Sequence, residues 1–316
     1  MIHQRLASPD PAVRRVAVLD LPYSDEEDDI APLLVTALAD PDAGVRLEAA
    51  KALEGYEEAT VLQALVPCLK DGDAAVREAT AATLAELKQP ASAAWLLPAL
   101  ADPAPGVKAA ALRAVKALRV PEAFGPALAA LADADAGVRR EAVGVLGYLK
   151  DARAIAALTE LAAHDPDAEV RRAAVGALGF AHESQGLSVQ PALTRALADG
   201  AWQVREEAAT TLAKLGSSAV ATDELVRALA DDYWQVRVKA ARSLGKLKAR
   251  AAVPALCEAL QHEVSNLRKE AAIALGEIAD PRAITPLERA LADPDPDVRK
   301  LAKLALTTMQ LNGSPA

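Results

Sequence analysis

The sequence predicts an all-α fold, a right-handed α–α superhelix of about ten helix-pair repeats. Three observations carry that reading. Alanine and leucine dominate, aromatics are only 3%, and 16 Gly and 20 Pro among 316 residues are too sparse for a disordered or collagen-like chain. A Val-Arg pair or its equivalent recurs, with the basic residue at Arg14, Arg46, Arg77, Lys108, Arg139, Arg171, Arg205, Arg237, Arg268 and Arg299, at spacings of 32, 31, 31, 31, 32, 34, 32, 31 and 31. Register also holds on both sides of this anchor. The residue eight before it is leucine in nine of the ten repeats, Ala163 being the exception, and an apolar residue such as Leu53, Leu84 or Leu146 lies seven after it.

Each repeat reads as two helices of 10 to 13 residues. The first is apolar at helical spacing, as in AITPLERALAD, and the second runs from the Val-Arg pair through A-x-x-x-L-G-x-L. The turn between them, as in DPDAGVR, offers an Asp or Pro-Asp to cap the free N–H groups of the second helix. Helices this short are marginal alone, so stacking on the next repeat must supply the stability. The chain then forms one solenoid with repeats at approximately 1–21, 22–56, 57–88, 89–119, 120–150, 151–182, 183–216, 217–248, 249–279 and 280–310, and a tail at 311–316.

The stretch Asp231 to Leu247, DDYWQVRVKAARSLGKL, has the form D-x-W-x-V-R-x-x-A-A-x-x-L-G-K-L. In this the chain resembles the HEAT family, and more narrowly the short HEAT-like repeats of phycobilin lyase subunits. The resemblance covers essentially the whole chain and implies a HEAT/ARM-type solenoid. It says little about function, because one scaffold carries many activities.

Asp recurs six residues before the anchor, at Asp40, Asp71, Asp102, Asp133, Asp165, Asp199, Asp231 and Asp293. With Arg46, Arg77, Arg139, Arg171, Arg205, Arg237 and Arg299 these aspartates read as a structural ladder tying the inter-helix turns together. The second helices are expected to line a concave face, exposing the positions one, two, five and nine after the anchor. Repeats five to eight stand apart there. Gly144 with Tyr148, and Gly176 with Phe180, are pairs four residues apart on one helical face. A glycine inside a helix costs about 1 kcal/mol relative to alanine, so each either admits a ligand or makes room for an aromatic of the adjacent helix. Trp202 and Trp234, with Tyr233, fall at the rim, near the N-termini of their helices. Lys214, Lys239, Arg242 and Lys246 add base to the same face, whereas Glu78 and Glu86 occupy it in repeat three.

Several classes are disfavoured. A net charge of -9 argues against a broad grip on nucleic acid, including that of glycosylases built on HEAT-like solenoids. Cys68 and Cys257 lie some six repeats apart and read as small buried apolar residues in a reducing compartment. The N-terminus has no apolar leader and no run suits a membrane, which points to the cytoplasm. Asp25 to Asp29 lacks the spacing of an EF-hand loop and reads as an acidic turn, and Ala181 to Ser188 reads as an inserted loop. Deoxyhypusine hydroxylase, also HEAT-like, holds iron with His-Glu pairs. The dipeptides His182-Glu183 and His262-Glu263 are out of register for that role, and His3 and His164 complete no ligand cluster. No phosphate loop, Ser-His-Asp arrangement or paired catalytic carboxylate emerges. The expectation is a non-enzymatic scaffold without cofactor or metal, binding a partner protein or peptide on repeats five to eight. The alternative implied by the lyase resemblance is a chaperone holding a tetrapyrrole, and a hydroxylase-like oxidoreductase ranks below both.

Overall fold

The computed structural model describes residues 2–24, 29–181, 183–216 and 218–313. The fold class is all-α, an α–α superhelical solenoid of stacked helix pairs, and the chain divides into two compact units, Met1–Leu149 and Lys150–Ala316. In the first unit the second helices of the pairs are Pro11–Asp20, Ala43–Ala52, Ala74–Ala85, Pro105–Leu118 and Ala136–Leu149, and each packs on the next. In the second unit the corresponding layer is Ala168–Ala177, Trp202–Leu212, Trp234–Lys246, Ser265–Ile278 and Pro296–Gly313.

The repeated Val and Ala of the V-R-x-x-A-A sentence explain this layer. Val45, Ala49 and Ala50 in the first unit, and Val204, Ala208 and Ala209 in the second, are buried, and the small alanines let neighbouring helices approach closely. Leucines from both helices of a pair fill the space between layers, among them Leu34, Leu62 and Leu84 in the first unit and Leu158, Leu178 and Leu193 in the second.

Aspartates at the turns start most second helices. Asp42, Asp73 and Asp167 cap the N–H groups of Val45, Val76 and Val170. Ala104, Ala201, Tyr233 and Val264 hold the same N-cap position with no side-chain bond.

Two expectations need correction. Helix length is not uniform, since first helices run from four residues, Ala93–Leu96, to fourteen, Glu183–Ala196. Pro67 and Pro98 are part of the reason: each lacks an N–H donor, and the chain there tightens into the 3₁₀ turns Val66–Lys70 and Leu97–Ala101. The expected loop at 181–188 is helical from Glu183 onward, with His182 outside the described residues. The first repeat has a first helix of its own, Ile2–Leu6. Of the acidic run at 25–29 only Asp29 is described, and its carboxylate accepts from the Ala31 N–H.

Candidate interaction surface

The anchor arginines make a two-sided joint. Arg46 donates through Nη1 to the carbonyls of Asp40 and Pro41 in its own turn, at 2.8 and 3.1 Å. Its Nε and Nη2 hold both carboxylate oxygens of Asp71 in the next turn, at 2.7 and 2.8 Å. This fork-to-fork geometry is the strong form of an arginine–carboxylate contact. Arg14 repeats it on Asp40, Arg171 on Asp199, Arg205 on Asp231 and Arg268 on Asp293, while Lys108 substitutes a single ammonium contact to Asp133. Each rung aspartate also accepts the backbone N–H two residues on, as Asp71 does from Asp73 and Asp231 from Tyr233.

The arginine hydrogen bonds hold Asp40, Asp71 and Asp293 below the usual carboxylate range. Burial is the largest single influence on Asp199 and Asp231 and pushes both upward, but the bonds from Arg171 and Arg205, the backbone N–H bonds from Ala201 and Tyr233 and the nearby arginine charges together outweigh it, and both also titrate low.

Three anchors depart from the pattern. Arg77 keeps its own-turn bonds to Asp71 and Gly72 but does not reach Asp102, whose carboxylate is taken by Lys70 Nζ at 2.5 Å. Arg237 meets His262, which stands where the other turns carry Asp; Nη1 lies 2.7 Å from Nε2, and Arg237 Nε is buried without a partner among the described residues. Among the described residues Arg299 keeps only its own-turn carbonyls, Asp293 and Pro294. Arg139 donates to the carbonyls of Asp133 and Ala134.

In the second unit the rim aromatics sit directly on this ladder. The rings of Trp202 and Tyr233 stack at 5.6 Å with an interplanar angle of 12°. The Arg205 guanidinium lies 5.5 Å from the Tyr233 ring centre while holding Asp231, so a single arginine anchors both the turn and the aromatic. Tyr233 remains 46% exposed and Trp234 39%. Phe180 ends the 3₁₀ turn Leu178–Phe180 and is half-buried.

The expected excess of base on this face is largely neutralised. Arg242 is held by Glu270 through two bonds of 2.8 and 2.7 Å, and Lys239 lies 3.7 Å from Glu206. Lys214 and Lys246 are exposed. In the first unit Tyr148 is 47% exposed, with Lys116 and Arg119 at 5.9 and 5.3 Å from its ring centre.

The glycines also read differently in three dimensions. A Cβ on Gly144 would meet Lys116 Cδ at 3.1 Å, and one on Gly176 would meet Glu207 Oε1 at 2.9 Å. These glycines make room for long flexible side chains of the neighbouring second helix, not for an aromatic. The sites closed by backbone are Gly245 and Gly276, where a Cβ would lie 2.7 Å from the Ala274 Cα and 3.0 Å from the Ala305 Cα. Both fall eight residues after an anchor, a signal present in the sequence but not singled out there.

Among the described residues no group of three or more His, Cys, Asp or Glu side chains could hold a metal. No helix there is long and apolar enough to cross a membrane. Cys68 and Cys257 are free and only half-buried, and burial pushes both thiols up.

The family model described as HEAT repeats matches residues 1–85, 31–116, 93–179, 163–236 and 222–307. No curated protein matches the sequence. Among solved structures, an engineered protein is 23% identical, with a TM-score of 0.53 and 98% of each chain covered. Kap95p in its structure with RanGDP is 14% identical, with a TM-score of 0.68, over 98% of this chain and 51% of Kap95p. The Kap95:Nup1 complex gives 14% and 0.65, over 99% and 50%. This chain therefore spans about half the length of Kap95, and these likenesses establish the fold.

Proposed function

We propose that this chain, which belongs to the HEAT repeat family, is a non-enzymatic scaffold that binds a partner protein or peptide through the second helices and turns of repeats six to eight. The observation that carries the reading is the Trp202–Tyr233 stack, braced by Arg205, with Tyr233 left exposed together with Trp234. Rigid, partly exposed aromatics present a large contact area at low entropic cost, which is why Trp and Tyr anchor so many interfaces. Phe180, Lys214, Lys239, Arg242, Lys246 and Gly176 belong to the same unit and complete the proposed surface. Gly144 and Tyr148, in the other unit, form a second patch of the same aromatic and cationic character. Kap95, which shares the fold, is seen with protein partners in its complexes with RanGDP and Nup1, and this supports a protein as the ligand class. The proposed setting is the cytoplasm, with no cofactor.

The test places a photo-crosslinking residue at Trp234 in the native cell to capture the partner, and compares binding of that purified partner to the parent chain and to the Tyr233→Ala/Trp234→Ala double variant. A crosslinked partner whose purified form binds the parent chain, and binds the double variant about tenfold or more weakly at unchanged helicity, supports the reading. Equal binding by both chains overturns it, and an absorbance band acquired on mixing with a bilin would replace it with the tetrapyrrole alternative.

A further inference from the structure

The rung at Arg77 is open because of one residue. Seven positions before the anchor the first unit carries Ala39, Lys70, Ala101 and Ala132 in successive repeats. Alanine cannot compete for the next rung's aspartate. Lys70 can, and its ammonium holds Asp102 and is the leading cause of that carboxylate's lowered pKa. Arg77 nonetheless keeps the attitude of a rung arginine, with Nη1 on the carbonyls of Asp71 and Gly72 at 2.7 and 3.1 Å. The Nε–Nη2 edge, which grips a carboxylate in the Arg14 and Arg46 rungs, has no protein partner among the described residues. Arg77 lines a cavity of about 550 Å³ between the second helices Ala74–Ala85 and Pro105–Leu118. Ala74, Ala81, Val107 and Ala110 supply an apolar lining, and a Cβ on Gly106 would meet nothing within 4 Å.

We infer that this cavity is a receptor for an acidic side chain of a partner polypeptide, with the Nε–Nη2 edge of Arg77 taking the carboxylate that Asp102 would otherwise supply. The charge pattern selects a monoanion. Lys70, Asp71, Glu78 and Arg113 share the lining, but Lys70 is held by Asp102, Asp71 by Arg46 and Arg113 by Glu141. Glu78 has no cation in contact among the described residues, so a dianionic phosphate would meet one open guanidinium beside an uncompensated carboxylate. The apolar lining and the volume suit a side chain with its methylenes and flanking residues, and exceed what a lone carboxylate fills. The inference does not rest on the aromatic surface of the second unit and can fail or succeed without it.

The probe is an N-acetylated, C-amidated pentapeptide, Ala-Leu-Glu-Leu-Ala, followed in the full chain through the Nε–H resonance of Arg77 and, in every variant, through the backbone amide resonances of Gly106 and Val107 in the cavity wall. The expected result is a saturable shift that is absent with the Gln counterpart of the peptide. It should weaken about tenfold or more in Arg77→Ala. The decisive variant is Lys70→Ala. It returns Asp102 to Arg77 and should abolish binding while raising the melting temperature. Because Lys70 also lines the cavity, the Lys70→Ala/Asp102→Ala double variant, which frees Arg77 again, should restore binding, and its failure to do so would overturn the proposal. Undiminished binding in Lys70→Ala would overturn the proposal. So would the lack of a saturable shift in the parent chain, tighter binding of a phosphoserine peptide of the same length, or equal binding of acetate.

Discussion

Arg77 and Arg205 occupy the same step of the repeat and make the same bonds to their own turns, yet one rung is open and the other is filled and roofed. At Arg205 the next aspartate is gripped by both arms of the fork, and Tyr233 lies over the guanidinium. At Arg77 the aspartate has been drawn away by Lys70 and the fork opens on a cavity. The ladder is therefore a set of independent joints, each tuned by the residues that compete for its carboxylate.

Acid should act on every filled rung together and gives the largest expected effect. The rung aspartates titrate below their unfolded value near 3.9. Their stabilisation is complete above that value and is lost as pH falls through the folded pKa. Melting temperatures should stay flat from neutral pH to about 5 and drop steeply below about 4. Unchanged melting down to pH about 3 would mean that the rungs carry no net stability.

Single rungs then separate the two regions. Asp231→Ala leaves the Arg205 fork part-buried and unpartnered and should cost about 2 kcal/mol in urea unfolding of the second unit. Asp102→Ala should cost clearly less, because it breaks only the lysine contact and the bond from the Ala104 N–H.

Glycines sharpen the comparison within the second unit. Gly245→Ala drives a methyl into the Ala274 backbone and should destabilise by about 1–3 kcal/mol. Gly176→Ala meets only the movable end of Glu207 and should gain up to about 1 kcal/mol from helix propensity. The same chemical change is expected to have opposite signs.

The smallest effect is expected at the Arg237 rung. His262 Nδ1 faces the Val264 N–H at 3.0 Å and its Nε2 faces Arg237, but a neutral imidazole accepts at only one nitrogen. His262→Asp can satisfy both donors and should raise stability by about 0.5 kcal/mol, read as a shift in melting temperature.

The repeat, its anchor and the helix-pair fold were legible in the sequence because each residue of the V-R-x-x-A-A sentence is fixed by contacts with an identical neighbour. Exceptions in the columns were legible too, Lys70 among alanines and His262 among aspartates. Their consequences were not, because which cation captures Asp102 depends on side-chain reach. Likewise Gly144 and Gly245 look alike on paper and differ in whether a flexible side chain or a backbone approaches them. The base predicted at Lys239 and Arg242 gave no sign of being neutralised, since Glu206 and Glu270 lie about thirty residues away in sequence.

Because each rung arginine binds its own turn and the next, it couples the folding of adjacent repeats, and cooperativity in a stacked array is set joint by joint. In the first unit the ion pair that couples the third and fourth repeats at this edge, among the described residues, is that of Lys70, whose side chain is 59% exposed. Opening of that unit should therefore begin at this seam, and amide exchange across it should outpace exchange at the doubly bonded joint between the second and third repeats.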